Sequence, residues 1–399
     1  MPRLSEIHAI DWSAVSHAYG PATDVPKLLL KLARGEDFDE VTYTLWGNLF
    51  HQGSSFEASG VAVPFFYAML REGLPRPEIA AFVLDYLHGL ALGYPGDLFP
   101  ERPAAEQWAE WLEGVDEAEI RALSQRYSTL PWGEIQQAIS TIRGYWGTKN
   151  YFLVEREIAD VIPYVASEHA EVAREAIALL SDFPRRAGDA APALRAVLDG
   201  SAPSEVRGPA VLALALLGLP CERWAVPLLA TADRITRIHA ACALVLGPPT
   251  ALPDAAVDVL AEPLDELGDI ETPFANTLGA MAGAALQRLP ASHSDHAVRA
   301  LARLHETAGA MTKVQLTSQM LRLAFPTPPP TEARALTASQ RLALDAIAAH
   351  GAWTLGSTKT GGESTFVNYT EVLRAFALPS SRRELQEWLS EARAPGASS

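Results

Sequence analysis

Six residues near the start of the chain place imidazole, phenol, amide and carboxylate groups at short spacing: His17 and Tyr19, then Asn48, His51, Gln52 and Glu57. Imidazole and carboxylate together can move a proton at neutral pH, while amides and phenols orient a polar ligand. Trp46, Phe50 and Phe56 stand among them, so these residues could line a small polar pocket with aromatic walls. His51 and Glu57 would then be the proton-transfer groups, or the set would recognise a partner or a small ligand. The competing reading is structural: His51-Gln52-Gly53-Ser54-Ser55 forms a turn between helices whose side chains bond backbone groups.

Other reactive-looking residues read as structure. Lys359-Thr360-Gly361 copies one motif of penicillin-binding enzymes, but no lysine has a serine three positions before it, and the Gly-Lys-Ser/Thr ending of a phosphate loop is missing. His293-Ser294-Asp295-His296 lacks a third metal ligand nearby and suits the cap before a helix at Ala297. His239 lies on an Ala-rich helix and reads as a satisfied structural histidine, and His305-Glu306 as an isolated pair on a polar face. Cys221 and Cys242 are too few for a disulfide framework or zinc site and read as buried thiols. No metal site or cofactor is expected.

Charge narrows the partners. The 399-residue chain carries net charge −16. Between Glu101 and Glu119 stand seven acids, Glu106, Glu110 and Glu113 among them, against Arg102, with Trp108 and Trp111 on the same helix. A second acidic run extends from Asp254 to Glu271 with no base. Such surfaces would attract a basic protein partner, or are simply solvated helix faces around core tryptophans. The first 150 residues hold 11 bases against 20 acids, the wrong sign for gripping a phosphate backbone, so nucleic acid is not the expected partner.

The elements that must hold these residues show a rhythm. Pro26, Pro64, Pro163, Pro192, Pro227 and Pro263 each open an apolar segment, at spacings of 38, 99, 29, 35 and 36. Proline suits the first helical turn, where its missing amide has no partner to lose, so each is expected to start a helix. Between them recur Val172-Ala173-Arg174-Glu175-Ala176, Val206-Arg207-Gly208-Pro209-Ala210 and Thr236-Arg237-Ile238-His239-Ala240, at steps of 34 and 30. Small residues at helical spacing let one helix lie close on the next, so each unit is expected to be helix, turn, helix.

These residues resemble the HEAT-like repeat superfamily over about residues 24 to 325, in the short bacterial version, since the steps fall below the ~40–47 residues of longer HEAT units. The resemblance implies an all-α fold, a right-handed α-α superhelix or solenoid, with a concave surface for binding. Trp12, His17-Ala18-Tyr19-Gly20, Leu45-Trp46-Gly47-Asn48 and His51-Gln52-Gly53 are similar to stand-alone bacterial HEAT-like proteins. Some relatives of that kind accompany secreted toxins, which implies an immunity or regulatory role. Others in the superfamily are alkylpurine DNA glycosylases, which the acidic charge disfavours here, and phycobilin lyases, which keep an enzyme with a small-molecule pocket near His51 and Glu57 as the alternative. Five lysines beside 27 arginines match GC-rich bacterial coding.

The expected layout is a solenoid over 1–325, a Pro-rich connector at 326–330 and a helical C-terminal cap at 331–399. Within the solenoid, 95–155 is expected to be irregular, with turns at Tyr94-Pro95-Gly96, Leu130-Pro131-Trp132-Gly133 and Gly144-Tyr145-Trp146-Gly147. Capping boxes at Thr337/Gln340 and Ser381/Glu384 start helices in the cap, and Trp353 to Asn368 reads as a hairpin or loop. No stretch approaches the ~20 apolar residues of a bilayer span, and residues 1–12 hold no signal run, so a cytoplasmic protein is expected.

Overall fold

The structure, a computed structural model, describes residues 3–94, 99–126, 129–248, 252–330, 332–357, 363–365 and 367–391. Its architecture is all-α, with three two-stranded hairpins. The chain divides into two compact units, Met1–Pro220 and Cys221–Ser399. No described helix is long and apolar enough to cross a membrane.

In the first unit the helices are α1 (Val25–Arg34), α2 (Phe38–Leu49), α3 (Glu57–Glu72), α4 (Pro77–Leu92), α5 (Ala105–Glu113), α6 (Glu117–Arg126), α7 (Trp132–Arg156), α8 (Ala170–Ser181), α9 (Ala187–Asp199) and α10 (Ser204–Leu216). Helices α3 and α4 both pack on α7, α4 also on α8, and α8 on α10. Buried tyrosines staple these contacts. The hydroxyl of Tyr67 donates to Val154 O at 2.8 Å, that of Tyr86 to Leu45 O at 2.5 Å, and that of Tyr151 to Asp182 O at 3.1 Å. Each removes an apolar ring from water while its polar end finds a carbonyl, so burial costs no unpaired group.

In the second unit α11 (Glu222–Leu228), α12 (Arg234–Leu246), α13 (Asp254–Ala261), α14 (Leu278–Gln287), α15 (Ser294–Thr307) and α16 (Ala310–Ala324) precede α17 (Ala338–His350), α18 (Val367–Ala375) and α19 (Arg382–Glu391). Helix α14 packs on α12 and α16, α15 on α17, and α17 on α19. The Ala-rich segments at 172, 206 and 236 all fall inside helices, α8, α10 and α12, as the spacing predicts. The Thr337/Gln340 capping box forms, Ser381 accepts from Glu384 N at 3.3 Å, and Thr354–Ser357 pairs with Glu363–Thr365 as a hairpin. Pro326 to Pro330 joins α16 to the elements before α17 inside this unit. Lys359-Thr360-Gly361, Pro95 and Gly96 lie outside the described residues.

Four expectations need correction. Of the six prolines only Pro26 sits at a helix start. Pro64, Pro192 and Pro227 lie within helices, Pro163 within a 3-10 segment, and Pro263 just ahead of another. A proline in the second turn faces a carbonyl of the first turn, so a single hydrogen bond is lost and the helix continues. Of the turn expected over Leu130 to Gly133, Leu130 and Pro131 precede α7 and Trp132 and Gly133 begin it, while Gly144–Gly147 is helix interior, since α7 runs unbroken for 25 residues. Ala138, Ile142, Tyr145 and Trp146 keep one face of α7 buried around these positions, and that outweighs about 1 kcal/mol per glycine. Helix α15 begins at Ser294 itself, and His293 makes no side-chain cap bond. His305 is not on a polar face: it is wholly buried, with Nε2 2.9 Å from Thr317 Oγ1.

Candidate functional site

Two short hairpins build the site. Strands β1 (Ser16–His17) and β2 (Gly20–Pro21) pair across Ala18 and Tyr19, and Ala18 N donates to Asn48 O at 2.9 Å, which fixes that loop against the end of α2. Strands β3 (Phe50–His51) and β4 (Ser54–Ser55) pair across Gln52 and Gly53, whose φ angles are 51° and 77°. Two successive residues with positive φ make a type I′ turn, the form whose twist matches a tight hairpin. Ser59 secures its exit: its hydroxyl accepts from Phe56 N and donates to Leu49 O. The segment His51 to Ser55 is thus a hairpin turn, and it also faces a cleft.

The cleft has a volume of about 530 Å³ and is walled by β1–β2, the turn of β3–β4, the start of α3, Ser124 of α6 and one face of α7. His17, Tyr19, His51, Gln52 and Glu57, separated by up to 40 positions in sequence, all line it. Phe56, Ile139, Ile142 and Trp146 give it apolar walls. Trp46 and Asn48 do not line it. Trp46 packs edge-on against Phe50 and Tyr86 at 4.9 and 4.5 Å, and buried Asn48 donates to Asp24 Oδ2 at 2.7 Å.

Hydrogen bonding fixes what the polar groups can do. His17 Nδ1 accepts from Tyr19 N at 3.0 Å, so Nε2 carries the proton and donates to Asp24 Oδ1 at 3.1 Å. Both nitrogens are committed, which leaves His17 a positioning residue for the Tyr19 loop. The Tyr19 hydroxyl reaches His51 Nδ1 at 3.3 Å, with the two rings edge to face at 5.3 Å. Glu57 pairs with Arg121 Nε at 2.8 Å. Burial pushes the Glu57 carboxyl above its usual value, and Arg121 only partly opposes this. Arg121 also meets Glu117 at 2.8 Å, and Glu117 in turn accepts from Tyr145 and Lys149, whose pairing outweighs burial and holds it below its usual value.

A second cleft, of about 470 Å³, lies beside the first. Gly53, Ser54, Ser55, Gly93 and Trp108 face Ser140, Gly144 and Gly147 of α7 across it. Ile139 and Arg143 line both clefts. Among the described residues, Arg143 is the only Lys or Arg lining either cleft, and Glu57 the only Asp or Glu. Arg143, Arg121 and Asp24 escape a reading of sequence because each acquires meaning only from partners on other elements. The one local signal was the helical spacing of Ile139, Ile142, Arg143 and Trp146, hidden by Gly144 and Gly147.

The acidic stretches separate into different roles. Glu106, Glu110 and Glu113 are exposed on α5, make no ion pair among the described residues, and stand beside half-exposed Trp111. Trp108 is half-buried against Tyr151. In the second unit Glu262 pairs with Arg237 at 3.1 Å, and Asp269 accepts from Gly309 N and Thr312 Oγ1 at 2.9 Å, so part of that run is structural. His239 is buried with Nδ1 2.8 Å from Ile235 O, and both cysteines are free, buried thiols. No group of three metal-ligating side chains occurs among the described residues.

No protein-family model matches the sequence, and curated proteins give no match. A solved structure described as an engineered protein is 19% identical, covering 94% of this chain and all of its own, with a TM-score of 0.28. A superposition that loose carries no inference about fold or function.

Proposed function

We propose that this chain is a binding protein of the HEAT-like kind its repeats resemble, and that its first unit receives a small organic ligand in the cleft between the two hairpins. The observation that carries this is convergence: His17, Tyr19, His51, Gln52 and Glu57 come from separate segments and line one cavity of ligand size. Binding is favoured over turnover because the two groups expected to move protons are already engaged, His51 with the Tyr19 hydroxyl at 3.3 Å and Glu57 with Arg121 at 2.8 Å. The test is to purify the full chain, extract it with organic solvent and identify released compounds by mass spectrometry, beside a Tyr19→Ala/His51→Ala variant. A compound released in stoichiometric amount from the parent and absent from the variant supports the reading. No released compound, together with no thermal shift in a panel of small acids, amines and nucleosides, overturns it.

The exposed acids of α5 favour a second reading, an immunity or regulatory protein that holds a basic protein partner on Glu106, Glu110 and Glu113. Capture of one partner that weakens steeply with salt and is lost on reversing the three charges supports this reading. Capture indifferent to the reversal sinks it.

A further inference from the structure

We propose that the ligand is an organic oxyanion, a flat apolar body bearing a carboxylate, sulfonate or phosphate, held by Arg143 where the two clefts meet. This rests on the reading of the first cleft as a binding site and adds the class of ligand. The argument is one of charge balance. Glu57 is neutralised by Arg121 at 2.8 Å, and His17 is tied to Asp24, whereas Arg143 has no ion pair or hydrogen bond among the described residues. The one uncompensated charge lining either cleft is therefore a guanidinium, whose planar fork matches two oxygens of a carboxylate, sulfonate or phosphate. The chain's net charge of −16 does not cancel this. At physiological ionic strength charges beyond about 8 Å are largely screened, so the near guanidinium dominates.

The walls specify the rest of the molecule. Phe56, Ile142, Trp146 and the Tyr19 ring offer flat apolar surface in the first cleft, and a Cβ added at Gly144 or Gly147 would meet no atom within 4 Å, so packing does not explain the bare floor of the second. His51 and Gln52 at the rim are placed to bond an edge of the ligand. The anion is thus expected at Arg143 and the apolar body against α7.

The experiment uses two fluorescent probes on the full chain, anilinonaphthalene sulfonate and its uncharged parent phenylnaphthylamine, with the parent protein, Arg143→Gln and Ile139→Trp. Circular dichroism melting confirms folding, and should Ile139→Trp fold poorly, Tyr19→Ala, which trims an exposed ring, replaces it. The expected result is saturable binding of both probes, about tenfold loss of the sulfonate alone in Arg143→Gln, and loss of both in the cleft variant. Sulfonate binding unchanged by Arg143→Gln, with both probes still lost in the cleft variant, overturns the oxyanion and leaves the cleft intact. If neither probe binds the parent, or neither responds to the cleft variant, the binding-site reading itself fails.

Discussion

The Tyr19 hydroxyl lies 3.3 Å from His51 Nδ1, joining the tip of one hairpin to a strand of another 32 residues on in the chain. Tyr19 is otherwise 68% exposed. Its loop is held from below by His17, Asp24 and Asn48, so the hydroxyl is presented from a braced platform.

Tyr19→Phe keeps the ring and removes this bond. The contact is solvent-exposed, so stability should change by less than about 1 kcal/mol. His51 then loses its tie to the first hairpin, and the affinity of a ligand that uses the cleft should drop several-fold. Thermal melting beside probe titration checks this. A stability loss that accounts for the whole affinity change would show that the bond only holds the fold.

Gly53 sits at φ 77° in the β3–β4 turn, and a Cβ there would come within 2.9 Å of the Tyr94 ring. Gly53→Ala should therefore destabilise by about 1–2 kcal/mol through backbone strain and displacement of Tyr94. Gly53→Asn should cost less, because asparagine tolerates positive φ, although it still crowds the ring. Urea unfolding of the pair separates the two terms, and equal losses would assign the cost to Tyr94 alone.

What sequence revealed here was what local physics decides. The Val and Ala spacing that places α8, α10 and α12, and the Thr337/Gln340 cap, depend on neighbours within a turn or two. The clustering of His17, Tyr19, His51, Gln52 and Glu57 was legible as an excess of polar groups among aromatics. Arg143 and Arg121 were not, because a guanidinium's role depends on whether an acid from another helix reaches it: Arg121 gains Glu57 from 64 positions away and Arg143 gains none. Likewise His305 reads as polar beside Glu306, yet the helix turns it inward to Thr317 while Glu306 faces out toward His350.

Glu175 of α8 is half-buried, with Oε2 lacking a hydrogen bond, and lies near Asp85 and His88 of α4. Burial, helped by the charge of Asp85 and of Glu171 and opposed by His88 and Arg174, pushes its carboxyl up to about 8. The folded state then keeps a proton that the unfolded chain releases above its ordinary value of 4.5, so stability falls as pH rises from there to about 8 and levels off beyond. Glu175→Gln should be more stable than the parent by about 2 kcal/mol at alkaline pH and converge with it in acid. Thermal melts from pH 4 to pH 9 read this directly; a constant offset across the range would mean that titration is not the cause.

His305 gives the second unit the opposite dependence. Burial pushes its imidazole down to about 3, with the positive charges of Lys313 and His350 adding to the effect, and Nε2 is committed to Thr317 at 2.9 Å with the Tyr369 hydroxyl 3.5 Å away. Below the ordinary histidine value of 6.5 the unfolded chain takes up a proton that the folded one refuses, so stability is lost as pH falls toward 3. The loss should approach about 1.4 kcal/mol per pH unit, roughly 2 kcal/mol by pH 5. His305→Gln can keep a bond to Thr317 without titrating. It should be less stable at pH 7 for lost packing, yet show a flatter slope between pH 6.5 and pH 4. Urea unfolding at several pH values, with hydrogen-exchange pulse labelling of 294–324, isolates this region. An unchanged slope in the variant would place the acid sensitivity on groups other than His305.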